Sequence, residues 1–308
     1  MTTPIFDVYG GDGGQYAERL KQLPAQPVLT REHGKYLASD TLKEAVNLAI
    51  AVGQPLLVTG DPGCGKTRLA WSIADELGLE EPLVFNTRST SRAQDLLYRY
   101  DAVRRFHDIQ ASTKTEQGTP RAEDASVYVT YEALGKAIRA KARRVVLIDE
   151  IDKAPRDFPN DLLHELDRMS FRVPEVGNEE QASSLRPIVL ITSNSERQLP
   201  RPFLRRCVFH YIEFPTTTDL VKIVKQRLGP LGLADDLVGA AVSRFEQVRA
   251  LPNLFKQPAT SELLAWVQAL AVTKMSAEKL LSKPLRELPL WQTLIKSKDD
   301  RKILLAAG

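Results

Sequence analysis

Residues 60–67, GDPGCGKT, combine the residue types that bind a polyphosphate. Three glycines at positions 60, 63 and 65 let the backbone curl until successive N–H groups point inward, which creates a concave site for phosphate oxygens. At this spacing Lys66 reaches the β- and γ-phosphates of a nucleotide such as ATP, and the Thr67 hydroxyl binds Mg²⁺. We therefore predict a P-loop whose nucleotide contacts are Gly60, Asp61, Pro62, Gly63, Cys64, Gly65, Lys66, Thr67 and Arg68.

A pair of acidic residues, Asp149 and Glu150, ends the apolar run VVLI at 145–148. An acidic pair alone is common at strand ends, but after a buried strand downstream of a P-loop a catalytic role is favoured. We expect Asp149 to hold Mg²⁺ through water and Glu150 to polarise an attacking water molecule.

Five short apolar runs alternate with helical patterns in the first two thirds of the chain. This alternation predicts a parallel sheet with helices on both faces. The predicted strands are 55–60, 82–87, 143–150, 187–194 and 207–214, and the predicted helices are 39–53, 67–78, 95–109, 131–142 and 157–169. Residues 171–186 have the pattern of a hairpin or excursion.

The pattern changes after Pro215. Helical periodicity continues over 217–228, 233–250, 260–273 and 276–283, without a strand signal. We place a domain boundary near Phe214–Pro215 and predict an irregular leader over 1–32, an α/β core over 33–214 and an all-α domain over 215–308.

The composition is that of an ordinary globular protein. The 42 basic and 39 acidic residues give a net charge of only +3, which argues against a protein whose whole surface is basic enough to bind nucleic acid. Cys64 and Cys207 lack metal-ligand spacing, and neither a signal peptide nor an apolar run of the about 20 residues that span a bilayer is evident. We expect a cytoplasmic protein.

Four segments, GDPGCGKT, VVLIDEIDKAPRDFPNDLLHEL, IVLITSN and LPRPFLRRC, make the chain resemble the AAA+ ATPases, and more closely their MoxR-like branch, over roughly residues 33–280. The resemblance implies a P-loop core with strand order 5-1-4-3-2 and a helical lid. It also implies Mg²⁺-dependent ATP hydrolysis in a ring, a hexamer by analogy, that remodels or matures a partner protein. Some relatives work with a von Willebrand A-type partner. An insert around 96–130 and a hairpin around 171–186 stand where the branch carries them.

The resemblance also assigns roles to single residues. Asn194 matches the polar sensor that orients the lytic water, although Asn is also common in turns at strand ends. Arg206 is the first candidate, and Arg205 the second, for an arginine that acts on the neighbouring subunit's nucleotide. Arg201 is a candidate structural or interface contact, and the alternative for all three is an exposed basic turn.

Two further features of the family are less clear in this sequence. Relatives carry an arginine near the start of a lid helix, but KQPATSELLAW at 256–266 has none, which leaves Lys256 as a substitute. The adenine pocket would lie around 33–39, where Tyr36 and Leu37 are candidates, with core packing as the alternative.

Other functions remain open at this point. A DNA-directed AAA+ machine shares the same P-loop, and a nucleotide-gated switch in a signalling or defence assembly would bind ATP but turn it over slowly. The aromatic and arginine residues of 95–109 could face a pore or a partner, although core packing and a solvated face are commoner uses of such patterns.

Overall fold

The computed structural model describes residues 36–112, 124–194 and 199–307. The predicted leader over 1–32 and part of the predicted insert around 96–130 lie outside these ranges. The described chain divides into two compact units. The first consists of residues 38–61 and 66–212, and the second of residues 36–37, 62–65 and 213–307. The three-part division predicted above stays a prediction.

Strands and helices alternate in the first unit. Its strands in chain order are β1 (Leu56–Gly60), β2 (Leu83–Asn86), β3 (Tyr98–Tyr100), β4 (Val129–Tyr131), β5 (Val145–Asp149), β6 (Ser170–Arg172), β7 (Glu180–Ala182), β8 (Ile188–Ser193) and β9 (Val208–Ile212). Its α-helices are α1 (Asp40–Val52), α2 (Lys66–Glu76), α3 (Gln94–Leu97), α4 (Ala102–Ser112), α5 (Ala133–Arg139), α6 (Phe158–Asp161), α7 (Leu163–Arg168) and α8 (Arg201–Leu204).

A five-stranded parallel sheet with the order β2-β5-β8-β1-β9 is the centre of this unit. Numbering these five strands alone along the chain and reading the sheet from β9 gives 5-1-4-3-2, so the predicted fold class is confirmed. Every residue of β1 and β8 is buried, as are the first four residues of β5. Because parallel strands end at the same edge, the residues that follow β1, β5 and β8 lie at one edge of the sheet.

The prediction of one helix over 95–109 is wrong. The chain forms the short α3, then β3, which pairs antiparallel with β4, and only then α4. Tertiary packing explains the break, because Tyr98 is 5% exposed, stacks on Phe171 at a ring-centroid distance of 6.2 Å and donates a hydrogen bond to Glu175. These contacts fix an extended backbone that helical periodicity alone does not reveal.

Two other predictions concern the stretch from 157 to 186. The predicted hairpin is confirmed, since β6 and β7 pair antiparallel. The predicted helix over 157–169 is interrupted at Leu162, between α6 and α7.

The second unit is helical where it is described. Its α-helices are α9 (Thr217–Leu228), α10 (Asp235–Arg249), α11 (Thr260–Val272), α12 (Ala277–Ser282) and α13 (Lys298–Ala306), of which the last was not predicted. They pack around Trp266 and Phe245, both fully buried, and the Trp266 indole N–H donates to the Pro289 carbonyl. In the part of the chain that the structure describes, no helix has the length and apolar character needed to cross a membrane.

Candidate phosphate and metal site

Lys66 begins α2, directly after the turn that follows β1. Its side chain is buried, and Nζ donates hydrogen bonds to the carbonyl oxygens of Gly60 at 2.7 Å and Asp61 at 3.0 Å. These bonds hold a buried positive charge beside the backbone of the predicted P-loop. The neighbouring Arg68 is half-buried in α2.

The side chains of Thr67 and Asp149 are in direct contact. The Thr67 hydroxyl lies 3.0 and 3.2 Å from the two carboxylate oxygens of Asp149, at the end of β5. Thr192 of β8 also donates to Asp149 Oδ1, at 2.6 Å. Because a carboxylate only accepts hydrogen bonds, Asp149 takes up both hydroxyl donors.

The oxygen atoms of Thr67 and Asp149 suit a hard cation. Mg²⁺ is typically held by one or two carboxylates together with waters and substrate phosphates. Within 36–112, 124–194 and 199–307 no group of three or more His, Cys, Asp or Glu side chains could hold a metal by itself. The residues present therefore fit an Mg²⁺ ion whose remaining ligands come from phosphates and water.

Glu150 adopts an unusual backbone conformation. Its φ of 55° and ψ of 52° lie in the left-handed region, which costs a residue with a Cβ about 1–2 kcal/mol. Its backbone N–H donates to the Thr192 hydroxyl at 2.8 Å. The turn ends the buried strand abruptly and brings the Glu150 side chain, 39% exposed, to the sheet edge.

The Glu150 carboxylate has two neighbours. Asn194 Nδ2 lies 3.4 Å from Oε1, and the Lys153 ammonium is ion-paired with Oε2. The backbone N–H of Asn194 donates in turn to Asp152, a carboxylate that is 4% exposed. Thus Thr67, Asp149, Glu150 and Asn194, all predicted site residues, belong to one hydrogen-bonded network.

Sequence reasoning missed two members of this network, Thr192 and Asp152. Thr192 is the single polar residue within the apolar run IVLIT at 188–192, and this was the only sequence signal for it. Asp152 is one of many charged residues in DEIDKAPRD, so its burial could not be read from the sequence.

The middle of the predicted P-loop belongs to the second unit. Gly63 and Gly65 have φ of 79° and 99°, and a Cβ on Gly63 would lie 2.6 Å from Ser261 Oγ and 2.9 Å from Ala259 Cβ. A Cβ on Gly65 would lie 3.2 Å from the Tyr36 ring. Only glycine fits these two positions without a shift of the neighbours.

The second unit also contains the candidate adenine contacts, Tyr36 and Leu37, and the candidate lid sensor, Lys256. Tyr36 is half-buried against Gly65, whereas Leu37 is 36% exposed. Lys256 Nζ lies 3.9 Å from Glu262 Oε1, an ion pair next to the start of α11.

Of the three candidate arginines, Arg201 begins α8, and Arg205 and Arg206 follow it directly. Arg206 Nε donates to Asp167 Oδ2 at 2.6 Å and Nη1 to the Pro202 carbonyl at 3.1 Å. Arg201 and Arg205 are exposed, and the Arg205 side chain has no hydrogen bond or ion pair with other described residues. No such bond among the described residues joins either Arg205 or Arg206 to Glu150.

The two thiols should differ strongly in reactivity. Burial and, to a lesser extent, the Asp167 carboxylate raise the pKa of Cys207 to about 12, which leaves about a thousandfold less thiolate near pH 8 than in an ordinary cysteine. We expect N-ethylmaleimide to modify Cys64, which is half-buried in the P-loop, long before Cys207. Mass spectrometry of partly labelled protein, with Cys64→Ala as control, measures the two rates. Equal rates would contradict the environment assigned to Cys207.

A family model matches most of the sheet-bearing unit of the chain. Residues 55–207 match the family model described as AAA domain (dynein-related subfamily), about half of the chain. No curated protein matches significantly. Among solved structures, a point mutant of RuvB from Thermotoga maritima is 16% identical, with 82% of this chain and 75% of that chain covered and a TM-score of 0.41. A similarity this weak carries no further argument.

Proposed function

We propose that this chain, in which residues 55–207 form an AAA domain and so bind ATP, hydrolyses the ATP with the help of Mg²⁺. One observation carries the proposal: Thr67, Asp149, Glu150 and Asn194 share a hydrogen-bonded network at one sheet edge. Candidate metal ligands, a second carboxylate and an amide thus occur in one network, and this combination supports an assignment to phosphoryl transfer.

Each residue has a separate task in this reaction. Lys66 and the backbone of 60–68 bind the phosphates, and Thr67 and Asp149 hold Mg²⁺, which neutralises charge on the β- and γ-phosphates. The Glu150 carboxylate accepts a proton from the attacking water while Asn194 orients that water. Tyr36 and Leu37 are proposed to contact the adenine, and Lys256 to sense the nucleotide from the lid.

The finer assignment follows the MoxR-like resemblance. We propose a cytoplasmic ring, a hexamer by analogy, in which Arg206 or Arg205 completes the neighbour's site and ATP turnover remodels a partner protein. A von Willebrand A-type protein is one candidate partner. In this assignment residues 215–308 are the lid of the core 33–214.

A slow nucleotide-gated switch is the second candidate function. The observation in its favour is the Lys153–Glu150 ion pair, because the ammonium occupies one oxygen of the carboxylate that an attacking water would have to contact. Very slow turnover by the assembled wild-type protein would favour the switch over a remodelling machine.

An ATPase assay with a P-loop variant tests the proposal. We expect the purified chain to release phosphate from ATP only with Mg²⁺, and Lys66→Ala to weaken ATP binding ~10–100-fold, since hydrogen bonds to a charged group contribute ~1.5–3 kcal/mol. Lys43→Ala is the matched control, because the Lys43 side chain is 60% exposed and, among the described residues, its ammonium pairs only with Asp40. Unchanged ATP binding by Lys66→Ala would refute the assigned phosphate site.

A further inference from the structure

The Thr192 hydroxyl makes two hydrogen bonds of opposite sense. It lies 2.6 Å from Asp149 Oδ1 and 2.8 Å from the backbone nitrogen of Glu150. The Glu150 N–H can only donate, so the Thr192 oxygen must accept this bond and the single hydroxyl proton is left for Asp149. The Thr192 proton therefore points to Asp149, and its oxygen accepts from Glu150. One atom thus links the side chain of one acidic residue to the backbone of the next.

Burial makes this link difficult to replace. Thr192 is 0% exposed, and all six residues of β8 are buried. Water cannot easily take over either bond there, and a β-branched side chain has restricted χ1 freedom. The hydroxyl is consequently held in one position by the strand that carries it.

The backbone of Glu150 depends on the same hydroxyl. The pairing of β5 with β8 ends at Ile148 and Ile191, and Glu150 turns into the left-handed region two residues later. Its N–H has left the sheet ladder and finds its partner in Thr192. Removing the hydroxyl leaves a partly buried N–H without a partner in a conformation that already favours glycine.

We infer that Thr192 is a positioning residue that holds the Mg²⁺ ligand Asp149 and the base Glu150 in fixed register with each other. The inference rests on the proposed function for the roles of Asp149 and Glu150. Because Asn194 follows β8 by one residue, a displacement of β8 moves the sensor, the base and the metal ligand together. Supporting hydrogen bonds to metal-ligating carboxylates typically change metal affinity or activity ~10–100-fold.

Substitution at Thr192 tests the inference through four separate measurements on the full chain. Thr192→Val keeps the shape and removes the hydroxyl, whereas Thr192→Ser keeps the hydroxyl. For Thr192→Val we expect that the Mg²⁺ concentration giving half of the maximal increase in ATP affinity rises ~10-fold or more. ATP affinity in EDTA should be unchanged. We expect kcat to fall by a factor similar to the rise in the Mg²⁺ requirement. We also expect faster hydrogen–deuterium exchange over 149–152. Thr192→Ser should stay within about threefold of wild type in all four measurements.

Thr87→Val is the matched control. Thr87 lies directly after β2, is 6% exposed and has a buried hydroxyl without a hydrogen-bond partner in the described chain. Its loss should leave the Mg²⁺ dependence and the exchange over 149–152 unchanged. If Thr192→Val does not fold, the pair Thr192→Ser and Thr192→Ala applies the same test, since both lose the methyl group and only the alanine loses the hydroxyl.

The outcomes separate this inference from the proposed function. Wild-type protein without ATP turnover contradicts the proposed function, while Mg²⁺-dependent binding and exchange still report on Thr192. A folded hydroxyl-free variant with wild-type Mg²⁺ dependence and wild-type exchange overturns the inference, whatever the turnover of the wild type.

Discussion

Replacing Glu150 by Gln is expected to reduce ATP turnover by at least ~10²-fold while ATP and Mg²⁺ still bind. The amide has nearly the same shape as the carboxylate and can still lie beside Asn194, but it cannot accept a proton from water. The P-loop, Thr67 and Asp149 are untouched by the change. Steady-state phosphate release measures turnover, and equilibrium binding of a fluorescent ATP analogue measures affinity.

Glu80→Gln controls for the loss of an ion pair. The Glu80 side chain, 72% exposed, pairs at 2.6 Å with Arg144, as Glu150 pairs with Lys153, so both variants break one carboxylate–cation contact. Arg144 is 17% exposed and still donates to the Glu81 carbonyl at 2.9 Å when Glu80 is replaced. Only Glu150→Gln should lose turnover, and neither variant should unfold the chain, because ion pairs of solvent-exposed carboxylates contribute about 0–1 kcal/mol. Normal turnover by Glu150→Gln would show that another group is the base.

Much of this site could be predicted because its residues follow strands. The apolar runs LLV, VVLI and IVLI, which precede Thr59, Asp149 and Thr192, identify buried strands. Parallel pairing brings the three strand ends to one edge of the sheet. The motif at 60–67 then needs only glycine conformations and a helix start to bind phosphate. Local sequence and topology together were therefore sufficient for the fold class.

The features that could not be predicted depend on contacts between residues that are far apart in the sequence. Tyr98 takes an extended conformation because Phe171 and Glu175 lie against it. Thr192 gains its importance from residues 43 and 42 positions earlier in the chain. Such partners leave no periodic signal, since a buried threonine in a strand looks the same whether or not its hydroxyl is used.

The contacts of the arginines that follow β8 were also not predictable from the sequence. Sequence placed Arg206 in a motif, but its ion pair with Asp167 appears only in the folded chain. Both side chains of that pair are more than 40% exposed, so breaking the ion pair costs little free energy. Arg206 therefore remains available to contact another molecule.

Two inactive variants are expected to restore activity when they are mixed. Arg206→Ala should lower turnover ~10³-fold if Arg206 stabilises the phosphoryl group bound by a neighbouring subunit. In a mixed ring, a subunit with Glu150→Gln still offers Arg206 to a neighbour with Arg206→Ala, whose own base is intact. That interface regains a complete site. Phosphate release from mixtures of the two proteins, after subunit exchange has been verified, measures the recovery.

The controls distinguish action on a neighbour from a structural role within the chain. A chain that carries both Arg206→Ala and Glu150→Gln should rescue neither single variant. If Arg206 only supported Asp167, then Asp167→Ala would lose as much activity as Arg206→Ala, and mixing would restore nothing. If the mixture with Arg205→Ala recovers instead, the exposed Arg205 is the residue that reaches the neighbour. Recovery in either mixture requires sites completed between subunits, whereas verified subunit exchange without recovery means that neither Arg205 nor Arg206 completes a neighbour's site.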